Sequence, residues 1–532
     1  MPQAEKAFVN GNVMTMNPSQ PAAEAVATLG DKILAVGSRS DIETLIGAKT
    51  KIIDLSGKTM IPGFNDGHGH LLQFGLDSLN LEVTPEICDS MSKLKKLVAA
   101  RAAKTRPGEW IQGWGWDESR MEGGLAPSVD DLTEAAPHNP VILIRTCYHV
   151  IAVNKMALDL AGVTDQTPDP AGGKIVRDIA GRATGILQDT AQTLVKSVVP
   201  PPSKEALKDA IKLASEILNK NGVTSITDAG MLTEVEGEIP AWCEAARDGL
   251  LTVRTTALML PGIAEQVRAL GLTGNFGNDL FKFGSVKFFM DGSVGGGTAG
   301  MTKPYLNPAF GVGLIYMEQE EISAKIKEAH DAGYQVAVHG IGDKAIDMIL
   351  TAFEEALKAN PRKDHRHRIE HFSMSYPHLL DRAKAMNITA SMNPGFLYFL
   401  GISQIANIGD EVFHEFSMKS ALDRDILISA GSDAPVINPH PRYGLFSAVW
   451  RKTISGLSCG EAERISMHEA LRAYTASGAY QTFDEKKKGS IEPCKYADFA
   501  VLSVDPTKAE PQEVLEMETL MTVLGGEVVH SV

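Results

Sequence analysis

The chain has 532 residues, 44% of them apolar, and a formal net charge of −15 at pH 7. That length accommodates roughly two to four core-forming domains, and the acidic balance excludes the basic stripe that nucleic acid or an anionic membrane requires. Five scattered cysteines (88, 147, 243, 459 and 494), none in C-x-x-C spacing, point to reduced thiols and exclude a cysteine-built zinc site.

The opening residues Met-Pro-Gln-Ala-Glu-Lys lack the basic-then-apolar layout of a signal peptide. No run of about 18 apolar residues is present to span a membrane, so a cytoplasmic protein is expected. Residues 1–60 read as short strands with tight turns: Ala7–Val9 before Asn10-Gly11, Ile33–Gly37, and Lys51–Leu55 before Ser56-Gly57. Residues 476–532 read alike, with a strand at Asp498–Leu502 and a hairpin at Thr522–Val529 around Gly525-Gly526. Neither end carries enough apolar residues to close a core alone. One composite β-sandwich, built from both ends, is therefore expected.

Residues 61–475 alternate strand and helix. The first strand runs through Ile61-Pro62-Gly63-Phe64 to His68-Gly69-His70. Further strands are expected at 223–228, 251–258, 285–289, 334–339, 367–371, 388–392 and 426–433. Between them, Leu207, Ile211, Ala214 and Leu218 share one helical face, as do Ile322, Ile326 and Ala329, and Ile346, Ile349, Phe353 and Leu357. Eight strands alternating with helices favour a (β/α)8 barrel, of the TIM type, over an open doubly wound sheet.

Residues 75–220 are far too long for one crossover and imply an inserted subdomain. Because it leaves the carboxyl end of the first strand, it is expected to roof the catalytic face. Trp110, Trp114 and Trp116 either line a substrate wall there or fill the insertion's own core.

In such a barrel, chemistry collects at the carboxyl ends of the strands. The first ends in His68 and His70, whose i, i+2 spacing turns both imidazoles to one face. The fifth ends in His339, the sixth in His371 and the eighth in Asp433, while the fourth carries Lys287 among apolar neighbours. A single strand-end histidine is more often a hydrogen-bonded core residue than a ligand. Four such ends on one side of a barrel point to a divalent metal site.

This set, with Gly113–Glu118, Val286–Ser293, Val338–Asp343 and Gly431–Pro435, resembles the metal-dependent amidohydrolase superfamily, and within it the amidohydrolase-3, or YtcJ-like, branch. The likeness covers nearly the whole chain. It implies that His68, His70 and Asp433 hold one divalent metal, zinc above others, and that His339 and His371 hold a second. It also implies that Lys287 bridges the two as an N6-carboxylysine; the alternative is a free amine and a single metal. Metal-activated hydroxide would cleave a C–N bond, amide or N-formyl, with Asp433 carrying the proton. His149 is the candidate for stabilising the tetrahedral oxygen, against a structural role. Trp114, Trp116 and Asp291 are the expected substrate contacts.

A deaminase of cyclic C–N substrates is the nearest rival. A non-catalytic regulator on the same fold, or a metal-supported isomerase or lyase, comes after it. The expected partner is a small-molecule substrate, with no nucleic acid and no membrane, and a homodimer is one option for assembly. His365-Arg366-His367 repeats the H-x-H spacing but enters the sixth strand from the opposite side, and is expected at the surface. Gly292–Gly300 lacks a phosphate-loop ending and is expected to form a mobile loop beside the metals. His440 either lines the pocket or belongs to a loop.

Overall fold

The structure is a computed structural model and describes residues 2–85, 87–146, 148, 150–170, 172–230 and 237–532. The chain divides into two compact units, Met1–Leu72 with Ala214–Val532, and Gln73–Leu213.

The first unit holds eight parallel strands: β1 (Phe64–Gly69), β2 (Val223–Asp228), β3 (Arg254–Met259), β4 (Phe281–Phe289), β5 (Val336–Gly340), β6 (Arg368–His371), β7 (Thr389–Met392) and β8 (Ile428–Ala430). Each pairs with the next in chain order from β1 to β8. Backbone bonds just beyond the last strand close the barrel. The Asp433 N–H donates to the His68 carbonyl at 2.7 Å, and the His70 N–H to the Ala434 carbonyl at 2.8 Å. The chain is a TIM barrel, and the closure falls at the mouth where the histidines lie.

Helices lie between the strands because the apolar positions repeat at helical spacing. In Asp343–Ala359, Ile346, Ile349, Leu350 and Phe353 are all fully buried. Burying one such side chain contributes about 1.5–3 kcal/mol. Among the described residues, no helix is long and apolar enough to cross a membrane.

The run Ile61–His70, read from sequence as one strand, is two. Thr59–Pro62 pairs with Phe499–Leu502 in a six-stranded sheet, whereas Phe64–Gly69 pairs with β2 in the barrel. Gly63 alone separates them. A Cβ at Gly63 would lie 2.2 Å from the Thr224 hydroxyl, so only glycine lets the chain pass between the two sheets. The six-stranded sheet packs on a four-stranded one formed by Lys6–Val9, Ala25–Leu29, Lys32–Gly37 and Lys51–Asp54. Phe8, Val13, Val26, Ile33 and Met60 from the first part meet Phe499, Val501 and Val523 from the last. Here Phe8 and Phe499 meet edge to face, ring centroids 5.5 Å apart. The β-sandwich is composite.

The second unit carries its own six-stranded sheet, edged by Gly173–Arg177 and Leu81–Glu82. Sequence places the insertion at 75–220. The compact unit ends earlier, at Leu213, and the rest of the helix Lys204–Lys220 counts with the first unit. Trp116 is 1% exposed, packs with Leu143 and Val141, and donates its indole N–H to the Leu143 carbonyl at 3.2 Å. Of the two readings left open for the tryptophans, Trp116 takes the core one.

His365 and His367 are not at the surface; they are 2% and 0% exposed. The reason is backbone satisfaction at the amino-terminal end of β6. The His367 Nδ1 accepts from the Val336 N–H at 3.0 Å, and the His365 Nδ1 accepts from the His367 N–H at 2.9 Å. A charged imidazole could not accept these bonds, so both rings stay neutral.

Candidate metal centre

Three side chains from the two strands that close the barrel meet at its carboxyl-terminal mouth. The Asp433 Oδ1 lies 3.0 Å from the His70 Nε2 and 3.3 Å from the His68 Nε2. One ligand atom from each of the three lies within 4.8 Å of the others, the compactness a divalent ion needs. His68 is 1% exposed and Asp433 7%, while His70 is half-buried.

Local structure explains the convergence. His68 lies inside β1 and His70 follows its end, so the i, i+2 spacing turns both rings inward. Asp66, two residues earlier on the same face, accepts from the Ser432 N–H at 2.9 Å and the Ser432 hydroxyl at 2.6 Å. That pair ties β1 to the segment bearing Asp433. Asp433 has φ of +58° and His371 has φ of +67°, both left-handed without being glycine. Such strain of about 1–3 kcal/mol persists where surrounding contacts over-determine it. His70 leans over Gly230, where a Cβ would fall 2.8 Å from the ring Cε1 and Nδ1.

The other predicted ligands line the same mouth. The His371 ring packs on those of His68 and His339, with centroids 4.5 Å apart in both cases. The His371 Nδ1 lies 2.8 Å from the Asn393 amide oxygen, and the His339 Nε2 lies 3.0 Å from the Gly292 carbonyl. Both acceptors demand an N–H, which leaves the opposite nitrogen of each ring with its lone pair. Lys287, 1% exposed, has its Nζ 4.8 Å from the Phe289 ring centroid.

The electrostatics follow from burial and crowding. Burial lowers the Lys287 pKa to about 8 against the opposing pull of Glu370 and Asp433. Burial and the Lys287 ammonium lower His339 to about 3, and burial with its histidine neighbours holds His371 well below the usual imidazole range. Burial opposes ionisation of Asp433, yet His68 and His70 hold its carboxyl well below the usual carboxylate range. The carboxylate and imidazoles gathered here, with His339 and His371 held neutral by burial, are the donor types a divalent cation takes.

Asp291 is held by the backbone, with its Oδ1 also 3.5 Å from the His339 Nε2. Its carboxylate accepts from the Gly300, Ile341 and Gly342 N–H groups at 2.9, 3.0 and 2.7 Å, and so anchors the loop Gly292–Gly300. His440 caps the helix Pro441–Trp450, accepting from the Arg442 N–H at 3.3 Å. His149 lies outside the described residues. Trp114 belongs to the unit Gln73–Leu213, where its indole N–H is buried without a hydrogen-bond partner among the described residues.

Sequence reasoning passed over Glu370 and Asn393, the residues behind the histidines. Glu370 was legible in Arg368-Ile369-Glu370-His371, because alternation places Arg368 and Glu370 on one face. Asn393 follows β7 and carries no spacing signal of its own.

The Amidohydro_3 model, described as an amidohydrolase family, matches residues 51–530. The chain is 33% identical to a Bacillus subtilis protein named YtcJ over 529 residues, covering 98% of each. It is 28% identical to the N-substituted formamide deformylase of Arthrobacter pascens, covering 98% of this chain and 97% of that one. Among solved structures, an uncharacterized metal-dependent hydrolase from Pyrococcus horikoshii superposes with a TM-score of 0.79 at 26% identity. That match covers 95% of this chain and 99% of the other.

Proposed function

Since the chain belongs to the amidohydrolase family and is a hydrolase, we propose that it cleaves a C–N bond, of the amide or N-formyl type, in a small organic substrate. The observation that carries this reading is the convergence of His68, His70 and Asp433 on one point at the barrel mouth. Likeness to a formamide deformylase along nearly the whole chain supports the choice of bond.

The donor chemistry fits a divalent metal ion. His68, His70 and Asp433 would hold one ion, and His339 and His371 a second. Lys287 would bridge them once its amine has taken up CO2 as a carbamate and released a proton. When bound, such an ion supplies Lewis acidity toward the substrate carbonyl and lowers the pKa of water.

The chain's own residues do the rest. Asp433, ionised and aimed into the mouth between two imidazoles, is the group that takes a proton from water and returns it to the leaving nitrogen. Asp291 holds the loop Gly292–Gly300 against β5, and with it the Gly292 carbonyl that fixes the His339 ring. Phe289, 39% exposed beside His339, offers an apolar surface for the substrate's carbon skeleton.

The test is metal quantification on purified protein, with and without bicarbonate, followed by a panel of N-alkyl and N-aryl formamides, acyl amines and cyclic amides. Zinc or manganese in the protein and release of formate or carboxylate support the reading. Ring deamination without amide cleavage, or no turnover after metal and bicarbonate are supplied, overturns it.

A further inference from the structure

Behind the candidate metal centre lies a buried charged chain that none of the expected ligands explains. The His68 Nδ1 meets the Glu370 Oε2 in a direct hydrogen bond, on the side of the ring away from Asp433. Glu370 is 0% exposed, His68 1% and Arg368 1%. The Arg368 Nε bonds the Glu370 Oε1, and its Nη2 reaches the Glu370 Oε2 at 3.0 Å. The same Nη2 donates to the Gly67 carbonyl at 2.7 Å.

A buried carboxylate is costly to desolvate and persists only when paired and hydrogen-bonded. Arg368 supplies both conditions with one planar fork. Strand alternation makes the arrangement available, since Arg368 and Glu370 are i, i+2 on β6 and point into the barrel, toward the strand that bears His68. The fork also grips the backbone of the residue before His68. Ring and main chain of one histidine are thus held by a single ion pair.

We propose that Glu370, anchored by Arg368, is the positioning residue that sets the tautomer and ring plane of His68 for metal binding. An ionised carboxylate only accepts hydrogen bonds, so the Nδ1 carries a proton toward Glu370 and the Nε2 is the nitrogen left to face the mouth and a cation there. His339 and His371 back onto a neutral carbonyl and a neutral amide. Of these three rings, His68 alone is hydrogen-bonded directly to a carboxylate; the Asp291 Oδ1 stands 3.5 Å from the His339 Nε2, beyond that bond. A carboxylate hydrogen-bonded behind the ring fixes its orientation and raises its basicity as a ligand.

This inference rests on the metal reading above, and the test separates the two. Zinc affinity of the parent, E370Q and R368K proteins is measured at fixed pH by competition with a chromophoric chelator. The d–d spectrum after cobalt substitution and the thermal melt of the metal-free forms are recorded beside it. E370Q is expected to melt cooperatively, to bind zinc about 10- to 100-fold more weakly, and to shift the cobalt spectrum. R368K, which keeps the charge but not the fork, is expected to weaken zinc less.

A folded E370Q with parental zinc affinity and parental cobalt spectrum overturns the role of Glu370. If E370Q does not fold, R368K decides: parental affinity in that variant overturns the proposal, and a weakened one supports it. A parent protein that takes up no zinc removes the metal reading, and this inference falls with it.

Discussion

Arg254 on β3 grips Asp498, just before the first carboxyl-terminal sandwich strand, through two hydrogen bonds of 2.7 and 3.0 Å, with both side chains under 10% exposed. The guanidinium also stacks over the Tyr496 ring, 3.7 Å from its centroid. This pair links the barrel to the sandwich half that arrives last in the chain. Removing one partner leaves the other charge buried and alone, which costs about 3–5 kcal/mol. D498N should therefore lower the urea midpoint of the protein by that amount of stability. A midpoint within experimental error of the parent would show that the pair is bypassed.

Asp433 is assigned the proton, and D433N keeps its shape and a carbonyl oxygen while removing the base. Turnover on the best formamide should fall about 10²- to 10⁴-fold, with most of the bound metal retained. Parental turnover by D433N would remove Asp433 from the chemistry.

Gly230 gives His70 its room. An alanine there meets the ring at 2.8 Å, so G230A should tilt His70 away from Asp433. Zinc affinity should drop by about tenfold, as expected for a displaced ligand shell, with little change in the melting temperature of the metal-free protein. Equal affinities in G230A and parent would place His70 outside the ligand set.

His367 is buried, stacked on Phe353 at 5.1 Å, and holds the Val336 N–H with its Nδ1. Burial and the neighbouring His365 and His330 push its pKa well below 6.5. The unfolded chain binds this proton below about pH 6.5 and the folded one does not. Its contribution to stability is thus present above that pH and is lost as pH falls toward the depressed folded value. In H367N the amide oxygen can still accept from Val336, and nothing titrates. The stability gap between parent and H367N, read by urea denaturation of metal-free protein, should narrow by about 1–2 kcal/mol between pH 7.5 and pH 5. A gap independent of pH would mean that His367 titrates alike in the folded and unfolded chain.

How much of this was legible in the sequence depends on which quantity a pattern encodes. The eight strands could be read because buried parallel strands are apolar runs, and the helices between them because Leu207, Ile211 and Ala214 repeat at helical spacing. The H-x-H pair could be placed at one mouth because alternation fixes which way two side chains point. Alternation does not fix depth. His365-Arg366-His367 has the same spacing as His68-Gly69-His70, and only the fold shows that its nitrogens hold backbone groups. Nor does a run of residues reveal which sheet it joins, so Ile61–His70 looked continuous until Gly63 was seen to pass between two. Glu370 needed a partner some 300 positions away in the chain before its role could be seen.

The junction at Gly63 also bears on synthesis. The strand Thr59–Pro62 pairs in parallel with Asn12–Val13, made before it, but its other edge meets Phe499–Leu502, so that edge stays open until nearly the whole polypeptide has been made. Such long-range pairings form late and slowly. A barrel whose last strands are still unmade therefore keeps an open strand edge a few residues before His68 and His70.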